Sequence, residues 1–169
     1  MVVYYRGTKK GDKRRIKTGV KAWDNNLFCS KLEEKARWYG PDIEIVTSKP
    51  KAKVITEGTK EFEKIFGKIK ENQNLLEWGV FVITKAKELG YQIVEFKRQG
   101  DMGTVIMDEK AVIRNAITEK DIESYMEQFK VDRETAVIEI AEALLIYYEE
   151  SERQTEKTYR NIIKDSYPL

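Results

Sequence analysis

Gly90-Tyr91-Gln92-Ile93-Val94-Glu95-Phe96, then Arg98-Gln99-Gly100-Asp101, then Gly103-Thr104-Val105-Ile106-Met107-Asp108 is the stretch on which the fold turns. It reads as a strand over 91–96, a turn, and a second strand over 104–107, because apolar and β-branched residues are bracketed by glycines. Ala111-Val112-Ile113 follows as a further apolar run. Upstream, Val2-Val3-Tyr4-Tyr5 and Leu27-Phe28-Cys29 are short strands, and 42–47 and 51–56 are two more. Residues 6–26 contain Gly7, Gly11, Gly19 and Asn25-Asn26, and the sequence predicts a long loop there.

Helices interleave with these strands. Ser30 stands where an N-cap belongs, with Glu33 three residues on, so a capping box and a helix to about Tyr39 are expected before Gly40-Pro41. Phe62, Ile65, Phe66 and Ile69 share one face of a predicted helix over 59–74, and a second helix over 75–89 ends at Gly90. Past residue 114 the pattern is helical. Thr118 caps one helix, presenting Ile122, Tyr125, Met126 and Phe129, and Asp132 caps a longer one reaching at least Tyr148. The expectation is an α+β core of mostly antiparallel strands over 1–114, with an acidic helical extension over 115–169.

The charge distribution supports that boundary. Residues 1–110 carry 23 Lys and Arg against 16 Asp and Glu, whereas 111–169 carry 8 against 13. The basic excess is concentrated in 1–21, which hold eight basic residues and one acid, Asp12. Such a segment suits phosphates, an acidic protein partner or a solvated surface. A nucleic-acid role for residues 9–21 is disfavoured by the near-neutral total of +2 and by the lack of aromatic residues among those cations.

Two counts remove whole classes of chemistry. There is no histidine, which excludes Ser–His–Asp and Cys–His mechanisms and the common zinc sites. Cys29 is the single cysteine, so no internal disulfide forms, consistent with a reducing cytosol. The start Met-Val-Val-Tyr-Tyr-Arg-Gly does not look like a signal peptide, and no apolar run nears 18 residues. A cytoplasmic protein without a membrane partner is expected. With 169 residues the chain buries roughly 70% of its unfolded surface, enough for a core without staples.

Three islands recur in a telling order: Tyr5-Arg6-Gly7-Thr8 after the first strand, Cys29-Ser30 opening a helix with Ala36, Trp38, Tyr39 and Gly40, and the Gly90–Asp108 pair of strands. This order resembles the ADP-ribosyltransferase superfamily, particularly its small bacterial and phage members, over residues 2–113. The resemblance implies a split, mostly antiparallel core with a cleft that takes NAD. It implies that Arg6 holds phosphate or ribose through its planar fork and that Gly7 lets the backbone approach the nicotinamide amide. It further implies that Ser30 fixes the ribose side and that Tyr39 or Trp38 stacks on nicotinamide. The family's acid, which supports the oxocarbenium-like transition state, usually stands directly before the second of the paired strands. Here Gly103 or Thr104 occupies that place, and Asp101 is the nearest acid before it. The resemblance therefore implies an NAD-dependent mono-ADP-ribosyltransferase acting on a host protein, with Asp101 as its acid. The alternative is a catalytically inactive binding module of the same fold, which sequesters a nucleotide or blocks a host protein.

Ordinary structural roles compete at each position: an ion pair for Arg6, a helix cap for Ser30, a turn for Asp101, packing for Trp23, Trp38, Tyr39 and Trp78, and a small strand residue for Cys29.

Overall fold

The computed structural model describes residues 1–8, 18–97 and 103–166, with the backbone alone described at 156 and 158–166. The chain divides into two compact units, Met1–Ala116 and Ile117–Leu169. The architecture is α+β, with two mostly antiparallel sheets and six α-helices among the described residues.

In the first unit the strands are β1 (Val3–Thr8), β2 (Leu27–Cys29), β3 (Asp42–Ser48), β4 (Val54–Thr56), β5 (Ile93–Glu95), β6 (Thr104–Ile106) and β7 (Val112–Arg114). One sheet has the order β1-β3-β7 and is antiparallel throughout. The other has the order β2-β6-β5-β4, where only β4 and β5 run parallel. The helices are α1 (Lys21–Asp24), α2 (Glu33–Arg37), α3 (Lys60–Phe66) and α4 (Leu75–Glu88).

Strand alternation divides the core into two layers. On one face of the four-stranded sheet, Ile55, Val94, Val105 and the neighbouring Phe96 join Phe62 and Phe66 of α3 and Trp78, Val82, Ile83 and Ala86 of α4. Trp78 sits between Phe62 and Phe96, with ring centroids 5.9 and 5.8 Å away. On the opposite face Leu27, Cys29, Ile93 and Ile106 pack with Tyr4, Val46 and Val112 of the three-stranded sheet. The two sheets thus share a buried apolar layer. An antiparallel bridge between Tyr5 and Ser30 also joins them, so β1 and β2 lie side by side at the junction.

Several elements differ from the sequence reading. β1 does not stop at Tyr5; it pairs with β3 as far as Thr8 opposite Asp42, and α1 interrupts the expected loop. The helix expected over 30–39 is only Glu33–Arg37, and its N-cap is Leu32, with no side-chain cap. Ser30 cannot cap it because its N–H and C=O are both spent on Tyr5, which keeps it in strand geometry. α3 ends at Phe66, not residue 74, since Gly67 takes φ of 72° and breaks the helix. The strands expected over 51–56 and 91–96 shorten to β4 and β5.

In the second unit α5 (Glu119–Phe129) and α6 (Arg133–Ser166) are the helices, and the second runs well beyond Tyr148. Thr118 and Asp121 form a full capping box, Lys130 leaves α5 in the left-handed region, and Asp132 accepts from the Thr135 N–H at 2.8 Å. Arg133 grips Glu119 through both terminal nitrogens. Thr118→Ala removes the acceptor for the third N–H of α5, and should lower the stability of this unit by about 1 kcal/mol. A thermal melt followed by circular dichroism checks it, and an unshifted midpoint would show that the cap contributes nothing.

Candidate functional site

The junction of the two sheets gathers most of the singled-out residues. The Tyr5–Ser30 bridge is closed by two backbone hydrogen bonds, Tyr5 N–H to Ser30 at 2.7 Å and Ser30 N–H to Tyr5 at 2.8 Å. Arg6 and Gly7 follow directly on β1, and Lys31 follows Ser30. The Ser30 hydroxyl accepts from the Leu32 N–H at 3.1 Å, and its own proton has no acceptor among the described residues.

Arg6 is an ion-pair residue. Register places it directly across from Glu44 on β3, with Nη1 3.0 Å from Oε2. β7 flanks β3 on the other side, so Arg114 reaches the same carboxylate, Nε to Oε1 at 2.7 Å and Nη2 to Oε2 at 3.2 Å. Arg114 Nη1 also donates to Glu109 at 2.6 Å. The Glu44 side chain keeps only 8% of its exposure. Burial by itself raises its pKa, but the hydrogen bonds from Arg114 and Arg6 and their charges hold the carboxyl below the usual range. Arg6 spends one nitrogen on this pair and remains about a quarter exposed.

Gly7 is explained by a close backbone approach. A Cβ there would lie 1.8 Å from the Ala36 carbonyl oxygen and 3.0 Å from the Gly40 nitrogen. Gly40 returns the contact, its own Cβ position falling 2.2 Å from the Thr8 oxygen. α2 and the turn after it are thus pressed onto the end of β1, leaving Trp38 and Tyr39 exposed at 67% and 51%.

The position of the expected acid is filled by neutral residues. Gly103 lies against the end of β2, where a Cβ would meet the Cys29 oxygen at 2.3 Å, and Thr104 is buried. Asp101 lies outside the described residues. Directly across from Thr104 stands Glu95, which points between the sheets and is 5% exposed. It accepts from the Tyr4 hydroxyl, the Thr56 hydroxyl and Lys31 Nζ, each at 2.8 Å. Burial pushes its pKa up; the bonds from Lys31, Thr56 and Tyr4 outweigh that and hold it low. Burial first, and then the same carboxylate, drives the Tyr4 phenol far above its ordinary value. Cys29, opposite Thr104, is pushed up to about 12, chiefly by burial, so it stays a neutral thiol.

Glu44, Arg114 and Lys31 are not singled out by the sequence, and Glu95 is set aside there in favour of Asp101 because it lies on the preceding strand. Their signal was present: each glutamate is a lone acid inside an apolar strand run, Ile43-Glu44-Ile45 and Val94-Glu95-Phe96. A carboxylate so placed needs cations or hydroxyls on flanking strands. Trp23 and Trp78 are packing residues, Trp23 against Phe28 and over Gly79. The basic segment over 9–21 is described only from residue 18, where Asp24 accepts from the Thr18 and Gly19 N–H groups and Lys21 opens α1. No helix among the described residues is long and apolar enough to cross a membrane. No protein-family model matches this chain, and no match was found among curated proteins or solved structures.

Proposed function

We propose that the 1–116 unit is an ADP-ribosyltransferase-like fold and that the chain is an NAD-dependent mono-ADP-ribosyltransferase acting on a host protein. The observation that carries this reading is the Tyr5–Ser30 bridge, which brings the stretch of β1 that leads into Arg6 and Gly7 against the chain at Ser30, where two sheets meet. Two further features fit a dinucleotide with a pyrophosphate. Arg6 has donors beyond the one given to Glu44, and the Ser30 hydroxyl proton has no acceptor among the described residues. In this reading Arg6 binds phosphate or ribose, Ser30 donates on the ribose side, and the exposed Tyr39 offers an aromatic face to nicotinamide. The bond between nicotinamide and ribose breaks, and nicotinamide leaves with the electron pair. An acceptor side chain then forms the new bond to the ribose carbon and gives up a proton. Asp101 is assigned the carboxylate that steadies the cationic sugar between those events. The basic segment over 9–21 is assigned to an acidic partner surface or phosphate. A phage or mobile-element protein acting against a bacterial defence in the cytoplasm fits the small size.

A binding module without transfer is the second reading, favoured by a specific observation. The strand position where the acid is expected is neutral, and the carboxylate across from it is buried and fully hydrogen-bonded. Calorimetric titration of NAD⁺ and transfer of labelled ADP-ribose to lysate proteins separate the two. Arg6→Ala should weaken NAD⁺ by about 1.5–3 kcal/mol, the value of a charge-assisted hydrogen bond. Since Arg114 still holds Glu44, the fold should survive this change. Asp101→Asn should leave NAD⁺ binding intact and cut transfer at least tenfold, about 1.4 kcal/mol in the barrier. NAD⁺ binding with no transfer by the unaltered chain selects a module that sequesters a nucleotide, whereas no NAD⁺ binding, with biological activity surviving Asp101→Asn, drops the enzyme reading and leaves a surface that blocks a host protein.

A further inference from the structure

A cavity of about 620 Å³ opens on the first unit, far along the four-stranded sheet from Ser30. The register fixes the separation. Ser30 continues β2 past the Cys29–Thr104 pair, whereas the cavity is walled by Gln92, just before β5, and Asp108, after β6. Four residues of extended chain separate Thr104 from Asp108, roughly 13 Å. The volume lies within the usual range for small-molecule sites, about 300–1,000 Å³.

Its walls are cationic. Lys51 and Lys53 come from the segment leading into β4, and Lys87 from the last turn of α4. All three are exposed, and none has a hydrogen bond, ion pair or ring contact from its side chain among the described residues. The one acid in the wall, Asp108, is already engaged. It accepts from Gln92 Nε2 at 2.9 Å and from the Lys110 N–H at 3.0 Å. Gln92 is locked in turn by the Lys53 N–H, 3.1 Å from its Oε1. The negative end of α4 is also quenched, because the Lys85, Ala86 and Lys87 carbonyls accept from the Leu89, Tyr91 and Gly90 N–H groups. Tyr91 completes a firm wall, its hydroxyl fixed to Glu61 at 2.5 Å. Three lysines against one aspartate leave an excess of two positive charges among the residues that line this concavity, and like charges gathered there favour an anion.

We propose that this cavity binds a small phosphorylated anion bearing two or more phosphates, at a site separate from the Arg6–Ser30 junction. Lysine ammonium groups are point-charge donors suited to phosphate oxygens. The excess of positive charge in the lining suits a ligand that carries more than one phosphate.

Inorganic tripolyphosphate is the probe, titrated calorimetrically at low and moderate salt. The wild-type chain should bind it, more weakly as salt rises. Lys51→Gln/Lys53→Gln/Lys87→Gln should bind at least tenfold more weakly, with an unchanged melting temperature because these side chains hold nothing in place. A control with three charges removed elsewhere, Lys64→Gln/Lys70→Gln/Lys120→Gln, should keep wild-type affinity. Arg6→Ala should bind tripolyphosphate as the wild type does, and the cavity variant should bind NAD⁺ unchanged, so this site and the junction fail or succeed separately. Three results overturn the proposal: no binding by the wild type, equal losses in cavity and control variants, or lysine-dependent binding of single-stranded RNA without binding of tripolyphosphate.

Discussion

Gly7→Ala should destabilise the first unit by more than about 3 kcal/mol, beyond the ordinary cost of overpacking a core. The added methyl would lie 1.8 Å from the Ala36 oxygen and 2.8 Å from its carbonyl carbon. Both are backbone atoms, so no rotamer change relieves the clash. β1 is held on one side by six register pairs with β3 and on the other by the Ser30 bridge, so it cannot retreat either. The remaining escape is for α2 to lift away, uncovering Ala36 and the turn at Gly40. Urea unfolding followed by far-ultraviolet dichroism measures the loss. A midpoint close to wild type would show that α2 yields at little cost, and would return Gly7 to a purely ligand-facing role.

The second large effect belongs to Glu44. Glu44→Ala strips the shared carboxylate from two guanidinium groups whose side chains are each only 24% exposed. Removing one partner of a buried pair costs roughly 3–5 kcal/mol, and partial exposure of the arginines lowers that to about 2–4 kcal/mol. The pH dependence gives an independent reading. The folded-state pKa of Glu44 lies below its unfolded value. Its contribution to stability is therefore fully present above the ordinary carboxylate pKa, about 4.3, and is lost as pH falls through the folded value. The wild type should lose stability on acidification, and Glu44→Ala should lose less over the same range. Some acid slope should remain, because Glu95 is shifted in the same direction. Parallel curves for the two proteins would show that Glu44 carries no linkage.

These two residues also mark how far the sequence could be read. Periodicity located α3, α4 and α5, since Phe62 with Phe66 and the Thr118–Asp121 box are local signals. The paired strands around residue 100 were legible for the same reason: glycines punctuate apolar runs. Ser30 was misread as a cap because its Ser-x-x-Glu spacing is also local, while the Tyr5 backbone that claims it lies 25 residues away in sequence. The Glu44 clamp was invisible on its own strand; its cations sit on β1 and β7, and only the order β1-β3-β7 brings them to either side. Gly7 could be flagged as a place of close approach, but not what approaches it. The lysines of the cavity scatter over residues 51–87 and acquire meaning only when β4, α4 and the end of β6 meet.

The strand order has a consequence for how this chain is made. β3 can zip onto β1 as soon as residue 48 has left the ribosome, because the partners are then both in hand. β2 has to wait: its ladder partner is β6, so Leu27 and Cys29 stay without their sheet until residue 106 has left the ribosome as well. β4 waits as well, since its parallel neighbour begins at Ile93. Pairings so distant in sequence are slow to close. During that interval the growing polypeptide shows an apolar strand edge to every other nascent protein nearby, the condition under which chaperones are recruited. A translational pause before residue 104 has emerged prolongs that exposure, and one placed once residue 114 has left the ribosome lets both sheets close there.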